Sequence, residues 1–460
     1  MEIETKRLMP ALDAHVGTAA PHRGASRHFR RSRHVWLSPR LWRSRFAFWF
    51  GGVVVGVVAV AFALAADYAQ NLLHLLLERW PYATVLLTPL GFAVSATLAR
   101  RYFPNSGGSG IPQAIAARRF RDPAARHALL SPRIAAGKIA LTLLGLLTGA
   151  SVGREGPTVQ VGASIMHTVG RAAGVSPRGL ILAGSAAGIA AAFNTPLAGI
   201  VFAIEEMSRS FEQRASGFVL TAVILAGIAS LALVGNYTYF GHTEAVVSDA
   251  AAWVAVPLCG IVCGALGGLF SRIVVAAAET GVPGAAGRWL GRRPVLFAGV
   301  CGLLVAIIGI VSGGTTYGTG YAEARRLLEG TGDIPATYGL LKMAATTLTT
   351  ISGIPGGIFA PTLAIGAGFG ADIAHLLLPE TPAGAVIVLG MVAYFAGMVQ
   401  APITAFVIIL EMTDGRAMAI PLMAASLIAY GASRLVTREP IYHALSKRYV
   451  RTVAAAPRSV

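Results

Sequence analysis

The segment KIALTLLGLLTGASVGREGPTVQVGA, residues 138–163, returns in altered form as KMAATTLTTISGIPGGIFAPTLAIGA, residues 342–367. At a constant shift of 204 residues, Lys138 meets Lys342, Thr142 meets Thr346, Gly149 meets Gly353, Gly153 meets Gly357, Pro157 meets Pro361, Thr158 meets Thr362 and Gly162 meets Gly366. A second block, Pro196-Leu197-Ala198 through Glu205, matches Pro402-Ile403-Thr404 through Glu411 at a shift of 206. A third is shorter and sets Gly108-Ser109-Gly110 against Gly318-Thr319-Gly320. One short match would be noise, but three in one order at nearly one shift indicate a duplicated unit. The halves run over about 46–236 and 252–436, joined by a connector at 237–251.

Both halves are built for lipid. Only 13% of the 460 residues are charged, against about 25% in soluble chains. The uncharged runs are long: Phe46 to Ala66, Trp253 to Phe270, Val295 to Val311 and Ala417 to Ala432. Runs of this kind read as membrane spans and exclude a soluble protein with an apolar core. Residues 1–45 are polar and rich in arginine (Arg23, Arg27, Arg30, Arg31, Arg33, Arg40, Arg43, Arg45), too long a leader for a signal peptide. Beside a span, this charge is expected to anchor a cytoplasmic segment rather than to bind nucleic acid. Cys259, Cys263 and Cys301 lie in apolar stretches with neither metal-ligand nor disulfide spacing, so buried inert thiols are expected.

Charge also orients the halves. The basic leader places the start of Phe46 to Ala66 inside, and Arg118, Arg119, Arg121, Arg126 and Arg133 mark another inner loop. The connector has Glu244 and Asp249 but no Lys or Arg, which makes it external, while Arg272, Arg288, Arg292 and Arg293 follow the next span. Equivalent first spans therefore point in opposite directions. The expected fold is an all-α polytopic membrane protein, an inverted-topology repeat with many short, tilted or interrupted helices. Both basic termini lie inside, the second carried by a final helix and tail over 437–460. In transporters of this kind the substrate site lies near the midplane, where interrupted helices meet. Thr84 to Ala99, Leu180 to Phe193, Leu197 to Ile204 and Leu363 to Phe369 are apolar but short. Broken backbone at membrane depth is tolerated where it lines a wet cavity, so these breaks are expected to frame the site.

Four motifs sit at the breaks: Gly108-Ser109-Gly110-Ile111-Pro112, Gly153-Arg154-Glu155-Gly156-Pro157, Gly357-Ile358-Phe359-Ala360-Pro361 and Pro440-Ile441-Tyr442. Glycine admits a close ligand, and proline fits a first helical turn. A helix start offers unused N–H donors and about half a positive charge, an anion site without a full cation. Dehydrating an ion costs on the order of 20 kcal/mol in an idealised Born estimate, so several helix starts and hydroxyls must share it. A lysine or arginine at the centre would hold the anion too tightly for passage.

These motifs, in this order and spacing, resemble the CLC family of chloride channels and chloride/proton exchangers, over about residues 46 to 447. The resemblance implies a homodimer with one pathway per subunit and no cofactor or metal. It implies a central anion held by the Ser109 and Tyr442 hydroxyls and the amides of Ile358 and Phe359, with Ala360 adjoining. An outer site is implied at the amides of Gly153, Arg154, Glu155 and Gly156. Glu155, an acid in the first turn of an apolar helix, is a functional candidate in its own right. It can occupy the anion's place, and protonation would release it; the family assigns this position the gate. Glu205 aligns with Glu411 and is expected to be structural. Glu206 falls opposite Met412, and the resemblance matches it to the inner proton-transfer glutamate of exchangers. Gln113 departs from the family, where an acid is common. Ser109 argues, by resemblance, for chloride over nitrate or fluoride. Eighteen residues follow Tyr442, too few for a nucleotide-binding regulatory pair.

The expected function is proton-coupled chloride antiport in a bacterial inner membrane. The alternatives are a passive chloride channel of the same fold and, remotely, a membrane-embedded enzyme with Ser109 as nucleophile. The last lacks a recognisable base or HExxH motif.

Overall fold

Proline and glycine punctuate the chain where the sequence places them, and what lies between is helix. The computed structural model describes residues 39–208, 217–235, 239–240, 246–247, 252–413 and 415–455. Most of the basic leader and of the connector at 237–251 lies outside the described residues. Of the segment Met1–Arg43, only the opening turn of the first helix is described; the chain from Ser44 onward packs as one unit. The first half comprises α1 (Pro39–Arg79), α2 (Thr84–Arg101), α3 (Ile111–Arg119), α4 (Pro123–Leu129), α5 (Pro132–Leu147), α6 (Glu155–Ala173), α7 (Pro177–Phe193), α8 (Pro196–Phe202) and α9 (Gly217–Val234). The second comprises α10 (Ala255–Thr280), α11 (Gly284–Gly291), α12 (Pro294–Val311), α13 (Tyr321–Glu329), α14 (Tyr338–Ile351), α15 (Phe359–Leu377), α16 (Ala383–Val399), α17 (Pro402–Thr413) and α18 (Ala419–Val436), and α19 (Ile441–Ala455) follows. Among the described residues, seven helical stretches are long and apolar enough to cross a membrane.

The run Phe46 to Ala66 is the middle of a longer helix, α1, and Leu363 to Phe369, expected as a short interrupted piece, is the centre of the 19-residue α15. Alanine and glycine flank that apolar core without breaking it, because tight packing inside the protein outweighs their weak propensity. Thr84 to Ala99 likewise belongs to the continuous 18-residue α2, whereas the break between α7 and α8 is real and has an equivalent between α16 and α17. α7 and α16 have 17 residues each, about 25 Å of helix, short of the roughly 30 Å hydrocarbon core. Both end on a left-handed residue, Asn194 (φ 56°) and Gln400 (φ 59°), and both chains restart as helix at a proline two residues later.

Two reciprocal devices tie the halves together. The carboxylate of Glu411 accepts from the amides of Leu197 and Ala198 at the start of α8, at 3.2 and 2.7 Å. That of Glu205 accepts from Ile403 and Thr404 at the start of α17, at 3.1 and 2.6 Å. The structural role expected for this pair is thus mutual capping. Close helix crossings repeat too: α6 meets α7 at Gly162 and Gly184, and α15 meets α16 at Gly366 and Gly390. A Cβ on Gly366 would lie 2.7 Å from the Gly390 carbonyl, so only glycine permits this approach.

Replacing Glu205 by Ala removes an acceptor shared by two amides. We expect a loss of about 1–3 kcal/mol, read as a lower thermal midpoint in detergent, and a similar loss for Glu411→Ala. An unchanged midpoint in both would show that the cross-caps carry no weight.

Candidate anion site at facing helix starts

The loop before each helix start is short, rich in glycine and held by hydrogen bonds to its counterpart in the other half. Gly153 N–H donates to Gly357 O at 2.8 Å and Gly357 N–H to Gly153 O at 2.7 Å, an isolated antiparallel bridge. Gly108 N–H donates to Ile354 O at 3.1 Å, and Gly356 N–H to Gly108 O at 3.2 Å. Gly318 N–H, the repeat partner of Gly108, donates to Ala150 O at 3.1 Å. These bonds bring together the starts of α6 and α15, with the start of α3 alongside.

Buried lysines, also repeat partners, fix the loops' carbonyls. Lys138 Nζ donates to Gly108 O at 2.7 Å. Lys342 Nζ donates to Thr316 O at 2.9 Å and to Gly318 O at 2.9 Å. Each ammonium is wholly buried, yet its charge is spent on backbone carbonyls rather than on the centre of the site. Gln113 closes the third loop. Its Oε1 accepts from Gly110 N–H at 3.1 Å, and its Nε2 donates to Gly107 O at 2.6 Å. Gln113 thus holds the turn carrying Ser109.

The hydroxyls of Ser109 and Tyr442 are buried close enough to interact, and neither makes a well-formed hydrogen bond to the protein. Such orphaned groups call for a ligand. The Ser109 hydroxyl lies against the first turn of α6, for a Cβ on Gly156 would stand 2.9 Å from its oxygen and 2.8 Å from the Ser109 carbonyl. Ile358 and Phe359 open α15, where amides have no intrahelical acceptor. The Phe359 ring packs on Phe395 (4.8 Å between centroids), Tyr442 (5.7 Å) and Phe193 (5.9 Å), an apolar collar around the hydroxyls.

Glu155 is fully buried at the start of α6. Its Oε1 accepts from the Tyr321 hydroxyl at 2.8 Å. Its Oε2 lies over Gly153, directed toward the amides of Glu155 and Ala360 without closing a well-formed hydrogen bond to either. The carboxylate therefore sits where two helix starts converge. Arg154 behaves differently from its neighbours in the motif. Its guanidinium turns to α1, donating to Ala63 O and Asp67 Oδ1 at 2.6 Å each and to the Tyr239 hydroxyl at 2.9 Å. Only its backbone remains at the helix start. Glu206 is buried as well, in the single π-turn Ala203–Ser208 that extends α8.

Tyr321, Tyr239 and Asp67 were missed in the sequence. Tyr321 had a signal: it follows Gly318-Thr319-Gly320 where the other half has Ile111, a polar ring opposite an apolar chain. Asp67 was visible as an acid at the edge of the first apolar run, without any mark of its partner. The three cysteines are buried and unpaired by disulfides, as expected. Among the described residues no cluster of His, Cys, Asp and Glu is placed to hold a metal.

Comparison with known proteins places this site in context. A family described as "Voltage gated chloride channel" matches residues 90–434. The H(+)/Cl(-) exchange transporter ClcA of Yersinia pseudotuberculosis serotype IB (strain PB1/+) is 34% identical over 426 residues, covering 86% of each chain. The transporter of the same name from Yersinia pestis bv. Antiqua (strain Angola) is also 34% identical over the same length. Among solved structures, a slow cyanobacterial Cl-/H+ antiporter superposes with a TM-score of 0.76 at 27% identity, covering 91% of this chain and 99% of that one. A CLC-type fluoride/proton antiporter shares the fold, with a TM-score of 0.74 at 23% identity over 88% of this chain and 98% of its own.

Gly156→Ala places a methyl group against the Ser109 loop. Chloride binding, measured by calorimetry in detergent, is expected to fall at least about tenfold, because Ser109 must move from the start of α6. Retained affinity would remove Ser109 from the site.

Proposed function

Because the chain belongs to the voltage gated chloride channel family, we propose that it exchanges chloride for protons across a membrane, with Glu155 as the gate. The observation that carries this reading is the position of the Glu155 carboxylate, which lies at the converging starts of α6 and α15 where an anion would be held. The two helix starts together supply about one positive charge, which one negative charge neutralises. Chloride and the ionised carboxylate therefore compete. A proton on Glu155 cancels its charge, frees it from the amides and lets chloride take the place. Return of the carboxylate expels chloride and releases the proton, so the two ions move in opposite directions.

The remaining residues divide the work. The Ser109 and Tyr442 hydroxyls donate to the central chloride together with the amides of Ile358 and Phe359, and Ala360 adjoins them. The backbone of Gly153, Arg154 and Gly156 forms the outer part of the path. Tyr321 steadies the closed carboxylate through its 2.8 Å hydrogen bond. Glu206 serves the proton on its way to the inner solution. Chloride is substrate rather than cofactor. We infer from the family a homodimer with one pathway per subunit, in a bacterial inner membrane, with both termini inside. The relatives are transporters, which leaves the Ser109 nucleophile without support.

A passive channel is the competing reading, and reconstitution separates the two. In vesicles holding a chloride gradient, the exchanger drives protons uphill; chloride flux without proton movement would sink the exchange reading. Glu155→Ala is expected to keep chloride flux and abolish proton coupling, and persistent coupling would remove Glu155 from the gate. Tyr321→Phe removes a hydrogen bond to a carboxylate, worth roughly 1.5–3 kcal/mol, and so weakens the competitor of chloride. Chloride is expected to bind about tenfold more tightly in this variant, and an unchanged dissociation constant would show that Tyr321 has no part in the competition.

A further inference from the structure

Glu206 is buried to within 1% of its side-chain surface, so a proton cannot reach it from solution without help. The ring beside it belongs to His443, in the first turn of α19 and one residue beyond Tyr442. His443 Nε2 lies 3.0 Å from the Glu206 carbonyl oxygen and 3.7 Å from its carboxylate Oε1. On the far side of the ring, Arg119 Nη2 lies 3.2 Å from Nδ1. Arg119 is exposed, at the C-terminal end of α3.

Donor and acceptor chemistry fixes the state of this ring. A guanidinium only donates, so Nδ1 must be the acceptor and carries no proton. A carbonyl oxygen only accepts, so Nε2 must carry one. The ring is a neutral imidazole with its proton toward Glu206 and its lone pair toward the solvent face. That is the tautomer a relay needs, and histidine changes charge in the working range of pH.

We propose that His443 carries protons between the solution on the Arg119 side and the carboxylate of Glu206. This rests on the reading of Glu206 as a proton-transfer group. When Arg119 swings off, Nδ1 takes a proton from solution and the ring becomes imidazolium. The imidazolium then turns from the Glu206 carbonyl to its carboxylate, closing the 3.7 Å gap to Oε1, and Nε2–H gives its proton there, leaving a neutral ring protonated on Nδ1. Exchange with water, in which Nδ1 loses a proton and Nε2 takes one up, restores the first tautomer, and the steps reverse when protons leave. One proton enters, one is delivered, and no charge remains on the ring.

The surroundings suit the task. Glu206 draws a proton toward the site, and Arg119 holds the ring neutral until it moves. Arg118, beside Arg119, donates to the Met207 carbonyl and so ties α3 to the same π-turn. Of the other helices against α19, α16 has no Asp, Glu, Lys, Arg or His. Those of α10, Arg272 and Glu279, are exposed. On α4, Arg126 donates to Phe120 O, and His127 Nδ1 pairs with Arg171.

The test must separate proton transfer from a mere tether between α19 and the π-turn. His443→Gln keeps a donor for the Glu206 carbonyl but cannot relay a proton. In the full chain reconstituted in vesicles, its proton flux per chloride is expected to fall roughly tenfold or more, and its dependence on pH at the Arg119 face to flatten. In His443→Ala, added imidazole is expected to restore proton flux in proportion to its concentration. 1,2,4-Triazole, a ring of the same shape that takes up no proton near neutrality, is expected not to. Parental proton flux and pH profile in the glutamine variant, or equal rescue by both rings, would overturn the proposal. Glu206→Gln, measured alongside, keeps the two readings apart. If it loses proton flux while His443→Gln does not, the histidine relay fails and the glutamate stands. If it keeps proton flux, the role of Glu206 fails, and with it the relay.

Discussion

The hydrogen bonds between Gly153 and Gly357, 2.8 and 2.7 Å long, hold the starts of two helices against each other. Each start carries about half a positive charge and amides without acceptors, so the pair repels until something negative lies between. Protein carbonyls do not fill that role, because the loops' own carbonyls are turned to buried Lys138 and Lys342. What remains is an exchangeable negative charge: the Glu155 carboxylate or an anion from solution. In the proposed mechanism gate and substrate compete because one electrostatic constraint serves both.

The scaffold around this point is close to symmetric. Lys138 and Lys342 hold equivalent loops, Glu205 and Glu411 cap each other's neighbouring helices, and Asn194 and Gln400 stop equivalent helices. The proposed chemistry lies where symmetry fails. Glu155 stands opposite Phe359, Tyr321 opposite Ile111, and Glu206 opposite Met412. Ser109 and Thr319 show the same break in the hydroxyls. Thr319 is occupied with Gln70, its amide and hydroxyl at 2.8 and 3.2 Å from Oε1, whereas the Ser109 hydroxyl makes no well-formed hydrogen bond. A duplicated frame supplies two positive ends, and the groups proposed for gate and proton transfer occur in one half alone.

Some of this could be read before any fold was known. Helix starts are local events, set by a proline and the glycines before it, and those at 110–112, 153–157 and 357–361 are where the motifs put them. Apolar length was less informative, since Leu363 to Phe369 reads as a fragment but belongs to a full helix held by packing. Arg154 shows the limit most clearly. Its amide is expected at the helix start, but nothing in the motif marks that its guanidinium grips Asp67 on another helix.

The sequence alone determined the membrane class, the duplication, the four helix starts and the acid at one of them, because each is written in neighbouring residues or in a fixed repeat. Tertiary structure decided which side chains meet. Tyr321 reaches Glu155 across 166 residues, Arg154 reaches Asp67 across 87, and His443 reaches Glu206 across 237. No local pattern encodes such pairs, since they depend on how helices cross and how far loops turn. The electrostatic need for an anion was therefore legible from the chain, while Tyr321 beside Glu155 and His443 beside Glu206 appeared only when the helices were brought together.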